Sequence, residues 1–234
     1  MTLSAKAEEA RRRPRRRPSP RARRRRAGLG LLCLAVVILA AWGFAGGRGR
    51  PPAPAWRRHL AAVAASQVGY RTDPPDTYCN RYSAYWGAGD TGCGDANSSE
   101  PWCADFAAWV WRQGGVPFAY GPTAGDINAA SVTFYWWGVD HHTWHLVGSG
   151  YRPQPGDVAV YGLDTRRGTA VHVAVVVRDG SRGPDVVNGD GARTGFSVVE
   201  RADNQLDADT THGGHAPLAG YVSPLPPPRA VRHR

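Results

Sequence analysis

The sequence predicts an α+β domain in which N-terminal helices pack on an antiparallel sheet, preceded by a separate apolar helix. Three observations predict it. Apolar residues recur at helical spacing over 56–68, 103–113 and 126–137. Beyond residue 150 the pattern changes to short β-branched runs bounded by Gly and Pro. Helices first and strands second is the order of an α+β fold rather than an alternating one. The 56–224 region, about 170 residues, is long enough for one core. A single domain, monomeric, is expected.

Leu60, Val63, Ala64 and Val68 define one face of the first helix, 56–68, which Gly69 ends. The second helix, 103–113, opens just after Pro101, a residue tolerated where helical N–H groups lack partners anyway. The third, 126–137, has Asp126 as its N-cap. Strands are expected at 157–161, entered from Pro155-Gly156, then at 171–178, 185–188 and 196–200. Residues 219–222 close the sheet.

The net charge of +10 is not spread evenly. Residues 1–50 hold 14 of the 29 basic and 2 of the 19 acidic residues, so the remainder is close to neutral. A nucleic-acid-binding domain carries its basic patch on the fold, and no nucleic-acid partner is expected here. Residues 1–27 read as a basic cytoplasmic tail without structure. Within 28–47, the run 29–45 contains no charge; as a helix it spans roughly 25 Å, close to the hydrocarbon thickness of a bilayer. Arginines before the run place the N-terminus inside and the rest outside the membrane. Two readings stand: a transmembrane signal anchor, or a signal peptide cleaved near Gly43 and Ala45, which would leave a secreted protein. Residues 48–55 form a linker, and 225–234 a Pro- and Arg-rich disordered tail.

Three cysteines fall on the exported side: Cys79, Cys93 and Cys103. An odd count there suggests one disulfide and one working thiol. Cys79 and Cys93 flank a Gly-rich loop, and a bridge between them leaves Cys103 free; Cys79–Cys103 pairing is the alternative and would remove any thiol chemistry. Cys103 opens a helix, where unpaired N–H groups and the helix dipole favour a thiolate. Downstream lie His172, in Val171-His172-Val173-Ala174-Val175-Val176, and Asn188, in Asn188-Gly189-Asp190. Cys, His, Asn is the chain order of papain-like thiol enzymes.

Six segments in order then resemble the CHAP domain, the cysteine/histidine-dependent amidohydrolase/peptidase module of cell-wall hydrolases. They are Ala65-Ser66-Gln67-Val68-Gly69-Tyr70; Asn80-Arg81-Tyr82 with Tyr85-Trp86-Gly87; Pro101-Trp102-Cys103-Ala104-Asp105-Phe106; Pro153-Gln154-Pro155-Gly156-Asp157-Val158; the His172 strand; and Ala219-Gly220-Tyr221. The resemblance covers 56–224 and implies a papain-like (CHAP/NlpC-type) fold. It implies Cys103 as nucleophile, His172 as base and Asn188 as the residue orienting the imidazole. Many relatives have Glu-Gly-Asn where this chain has Asn188-Gly189-Asp190, so Asp190 is the alternative third residue. Peptidoglycan is the implied substrate, cleaved as by an N-acetylmuramoyl-L-alanine amidase or a peptidoglycan endopeptidase. Trp102, Tyr82 and Trp86 are the candidate substrate-binding aromatics. The alternative is a catalytically inactive CHAP-like module, anchored in the membrane, that binds cell wall or a partner.

No metal or organic cofactor is expected. His141 and His145 are four apart, as zinc ligands on a helix are, but no carboxylate base lies between them. Asp90 and Asp95 fall in a Gly-rich loop whose spacing matches no defined calcium loop and reads as a solvated turn.

Overall fold

The computed structural model describes residues 51–94, 96–211 and 215–228. The apolar segment 28–47 and the basic tail lie outside these, and among the described residues no helix is long and apolar enough to cross a membrane. The chain divides into two units, Met1–Pro52 and Ala53–Arg234, and the second carries the fold.

Helix α1 (Ala55–Ala65) buries Leu60 and Ala64. It is held close by glycines: a Cβ on Gly114 or Gly156 would lie 2.1 Å or 2.6 Å from a Leu60 methyl carbon. Next come β1 (Cys79–Asn80), α2 (Arg81–Trp86) and β2 (Ser98–Ser99), with β1 and β2 paired antiparallel. Asn80 caps α2, its side-chain oxygen accepting from the N–H groups of Tyr82 and Ser83. Cys79 and Cys93 are joined in a disulfide, and Cys103 is free and buried. The bridge closes a loop with a sequence separation of 14 residues.

Helix α3 (Cys103–Gln113) has the expected bounds, and all its residues from Cys103 to Trp111 except Trp109 are buried. Helix α4 (Val132–Asp140) begins six residues later than the expected 126. Asp126 does not cap it. Ile127 instead bridges to Tyr120, and the Asn128 side chain accepts from the Ala130 N–H, holding 126–131 as a loop. Asx turns of this kind compete with helical hydrogen bonding.

The sheet is antiparallel, in the order β3-β9-β4-β5-β6-β7. Its strands are β3 (Trp144–Leu146), β4 (Val158–Tyr161), β5 (His172–Asp179), β6 (Pro184–Gly191), β7 (Val198–Ala202) and β9 (His215–Val222), with β8 (Asp207–Asp209) pairing on β9. Val158, Val160, Val173, Val175, Val187 and Val199 pack on the helices. Ala159, Tyr161, Ala174, Val176 and Val186 form a second core on the other face with Ala208, Ala216 and Leu218. Both faces of β4 and β5 are therefore covered, which is why these strands read as continuous apolar runs. The C-terminal tail expected to be disordered from 225 is corrected for its first part: Leu225 packs against the helical core and Pro227 lies against Gly115.

Strand β6 extends beyond the expected 185–188 because Pro184, Gly189 and Gly191 belong to it, residue types depleted in strands. Gly189 has a packing reason: a Cβ there would lie 2.4 Å from Cβ of Phe106 on α3. Gly189→Ala should therefore destabilise the protein by about 2 kcal/mol, an overpacking cost, read as a lower midpoint in urea. An unchanged midpoint would mean that β6 and α3 can separate freely.

Candidate active site

The site forms where the first turn of α3 meets the starts of β5 and the end of β6. Cys103 and His172 line one cavity of about 190 Å³, together with Ser131, Asp190, Thr210 and Thr211. Cys103 is 5% exposed and His172 2%. The thiol hydrogen-bonds to Ser131, with Sγ to Oγ at 3.2 Å.

Asn188 stands behind the imidazole. It pairs with Ala174 across β5 and β6, so it is the diagonal neighbour of His172 on the same face. His172 Nε2 donates to Asn188 Oδ1 at 2.9 Å when the proton is on Nε2, which leaves Nδ1 unprotonated. The Asn188 amide is itself fixed. Its Nδ2 donates to Gln205 Oε1 at 2.9 Å, and Gln205 Nε2 returns a bond to Asn188 Oδ1 at 3.3 Å. Gln205 is 6% exposed and its carbonyl accepts from the Tyr161 hydroxyl.

Asp190 faces the cavity by a different route. The β6–β7 register shifts between Asn188 and Gly191, and Asp190 adopts φ 55°, a left-handed conformation uncommon outside glycine. This bulge breaks the two-residue alternation that would otherwise set Asp190 beside Asn188. The Asp190 carboxylate accepts from the Ser197 hydroxyl at 2.8 Å, and Ser197 accepts from Trp102 Nε1 at 2.8 Å. Burial pushes the Asp190 carboxyl up to about 6, against the lowering influence of Ser197, His172, the Trp102 N–H and Thr211.

The electrostatics differ from the expectation of a ready thiolate. Burial, then the charge of Asp190, pushes the Cys103 thiol up to about 11, outweighing hydrogen bonds from Ser131 and the Val173 N–H. Burial also lowers His172 below the ordinary histidine range, opposed by Asn188, Asp190 and Glu200. Both shifts favour the neutral thiol and the neutral imidazole over the ion pair. Desolvation of the sulfur is the largest of these influences.

The aromatic expectations divide. Trp102 and Tyr82 have no exposed surface; they stack on each other at 5.3 Å and 17°, within the core. Both are corrected from substrate-binding to structural residues. Trp86 is only partly buried and stacks on Tyr120 at 4.1 Å and 10°. This pair rims a second cavity of about 590 Å³, which shares Ala129 and Ala130 with the thiol cavity. Asp105 of α3 anchors both rings: its carboxylate accepts from the Tyr120 hydroxyl and its carbonyl accepts from Trp86 Nε1. The same carboxylate accepts from Ser83 at 2.6 Å. Beside it, burial and the Asp105 charge push Glu100 up to about 8.

His141 and His145 lie on different elements. His141 follows α4 and stacks on Trp137, while His145 belongs to β3 and stacks on Tyr151 at 3.6 Å. Asp90 accepts from the Gly92 N–H in the Thr91–Cys93 turn, as a solvated turn requires; Asp95 lies outside the described residues.

The site thus sets a cysteine at the head of a buried helix against an antiparallel sheet that carries a histidine bonded to an asparagine. Residues 94–189 match the family model of the CHAP domain. No curated protein and no solved structure matches the chain. The matched segment contains Cys103, His172 and Asn188 and ends one residue before Asp190. Ser131, Gln205, Ser197 and the anchoring role of Asp105 were not found by sequence reasoning. Of these, only Asp105 carried a signal, as an acidic residue in the first turn of α3.

Proposed function

We propose that this protein is a peptidoglycan hydrolase that cleaves an amide bond through Cys103, as an N-acetylmuramoyl-L-alanine amidase or a peptidoglycan endopeptidase. The observation that carries the reading is the sharing of one small cavity by Cys103 and His172, with Nε2 of the histidine committed to Asn188 and Nδ1 left for the thiol proton.

Because both shifts favour the neutral pair, His172 acts as a general base while the sulfur attacks. Nδ1 takes the thiol proton; the sulfur lone pair bonds to the carbonyl carbon; the carbonyl π pair moves to oxygen. In this reading the Cys103 N–H, in the first turn of α3, donates to that oxyanion. Collapse breaks the C–N bond, and the imidazolium returns the proton to the leaving amine. Water then hydrolyses the thioester. The Trp86–Tyr120 face along the adjoining cavity supplies an apolar platform for sugar or peptide. Segment 28–47 tethers the domain to the outer face of the membrane, or directs its secretion if cleaved.

The test is digestion of purified peptidoglycan in ¹⁸O-labelled water, followed by mass spectrometry. Fragments with a new amine and a new carboxyl carrying one ¹⁸O are expected, and their masses identify the bond. Intact peptidoglycan after prolonged incubation would favour the inactive binding module instead.

The third residue has its own test. Asn188→Ala should lower kcat on the order of 100-fold, since it frees the imidazole to rotate and change tautomer. Asp190→Ala should cost on the order of 10-fold, with KM little changed in either. A larger loss in Asp190→Ala would transfer the orienting role to Asp190.

A further inference from the structure

Ser131 occupies the N-cap position of α4, where a serine ordinarily gives its oxygen to the N–H groups of the first turn. It makes no such bond, and its backbone is already helical, with φ −51° and ψ −34°. Asn128 and Thr133 organise the turn instead: the Asn128 N–H donates to Thr133 Oγ1, and the Thr133 hydroxyl donates to the Ala130 carbonyl at 2.7 Å. The Ser131 side chain is thereby left for the sulfur. It is 7% exposed, it lines the thiol cavity, and its Oγ lies 3.2 Å from Cys103 Sγ.

While both groups carry protons, either can donate. Once the thiol proton has moved to His172, sulfur is an acceptor only, and the hydroxyl is the donor. We propose that Ser131 is a catalytic residue whose hydroxyl donates to the Cys103 sulfur as negative charge builds there, from departure of the thiol proton until the sulfur–carbon bond forms. The proposal rests on the reading of Cys103 as nucleophile. The charged groups that act on the sulfur are Asp190 from β6, which lines the cavity, and more weakly Asp105 from its own helix, with His172 of β5 as proton acceptor. Both carboxylates oppose a thiolate. Ser131, from the α4 side, and the Val173 N–H of β5 favour it, so Ser131 is the side-chain group that offsets them.

The test is the rate of Cys103 alkylation by iodoacetamide as a function of pH, in the whole protein and in S131A, S131T and S131V. A hydrogen bond to a charged group corresponds to roughly one pH unit or slightly more. S131A should therefore shift its profile about one unit upward and react roughly 10-fold more slowly near pH 8. Its thermal midpoint should equal the parent's, since no cap is lost. Threonine keeps the hydroxyl and valine has the same shape without it, so S131T should follow the parent and S131V should follow S131A. A parental profile in S131A, or equal reactivity of S131T and S131V, would overturn the proposal. Alkylation requires no peptidoglycan, so this outcome is separate from the success or failure of the hydrolase reading.

Discussion

Cys103→Ala is expected to abolish peptidoglycan cleavage while leaving the fold in place. The loss in turnover should be on the order of 10⁴-fold or more, because the covalent step has no substitute nucleophile and the residues of such a unit act together. The structural cost is small. Removing one buried sulfur forfeits about 1 kcal/mol of apolar burial, and the contacts of α3 are carried by Phe106, Val110 and Trp111. The check is paired: fragment release from peptidoglycan, and the urea midpoint of the same preparation. Wild-type release by the variant would remove Cys103 from the chemistry, while a collapsed midpoint would make the residue structural.

His172→Ala produces the second large effect, on the order of 10²- to 10⁴-fold, the range of general-base contributions. Combined with Cys103→Ala it should add almost nothing, since both residues serve one step. The pH profile carries the sign of the mechanism. The productive form of His172 is the neutral imidazole, and its pKa is lowered below the usual value by burial. kcat/KM should therefore rise as pH increases through a point below the ordinary histidine range. It should then stay level well above pH 8, because the thiol loses its proton on its own only near 11. Burial raises the Asp190 carboxyl to about 6, so the rise that persists in Asp190→Asn belongs to His172. A profile that falls between pH 6 and 8 would indicate a preformed thiolate–imidazolium pair instead.

What the chain order disclosed, and what it concealed, follows from the range of each interaction. Helix α3 was legible to the residue because Pro101 and the apolar spacing are local signals. The His172 strand was legible because burial on both faces writes a continuous β-branched run. The Cys79–Cys93 bridge matched the expected pairing of two half-cystines around a short loop. The start of α4 was not legible: Asp126 resembles an N-cap, but the pairing of Ile127 with Tyr120 and the Asn128 turn keep 126–131 out of the helix. Trp102 was expected in a groove because it adjoins Cys103. Its burial depends on Tyr82, twenty positions away, and on Ser197, far downstream. Gln205 and Ser131 reach the site from loops through side-chain hydrogen bonds, and no periodicity records such contacts. The positive φ of Asp190 was similarly hidden, because the register shift between β6 and β7 leaves no mark in residue spacing.

The most direct measurement titrates function against the thiol itself. The protein is alkylated to graded extents, peptide mapping gives the fraction of Cys103 modified, and each sample is assayed for new amine release from peptidoglycan. The mechanism requires activity to fall in proportion to modified Cys103 and to vanish when labelling is complete. Amide cleavage that persists in fully Cys103-labelled protein would contradict it.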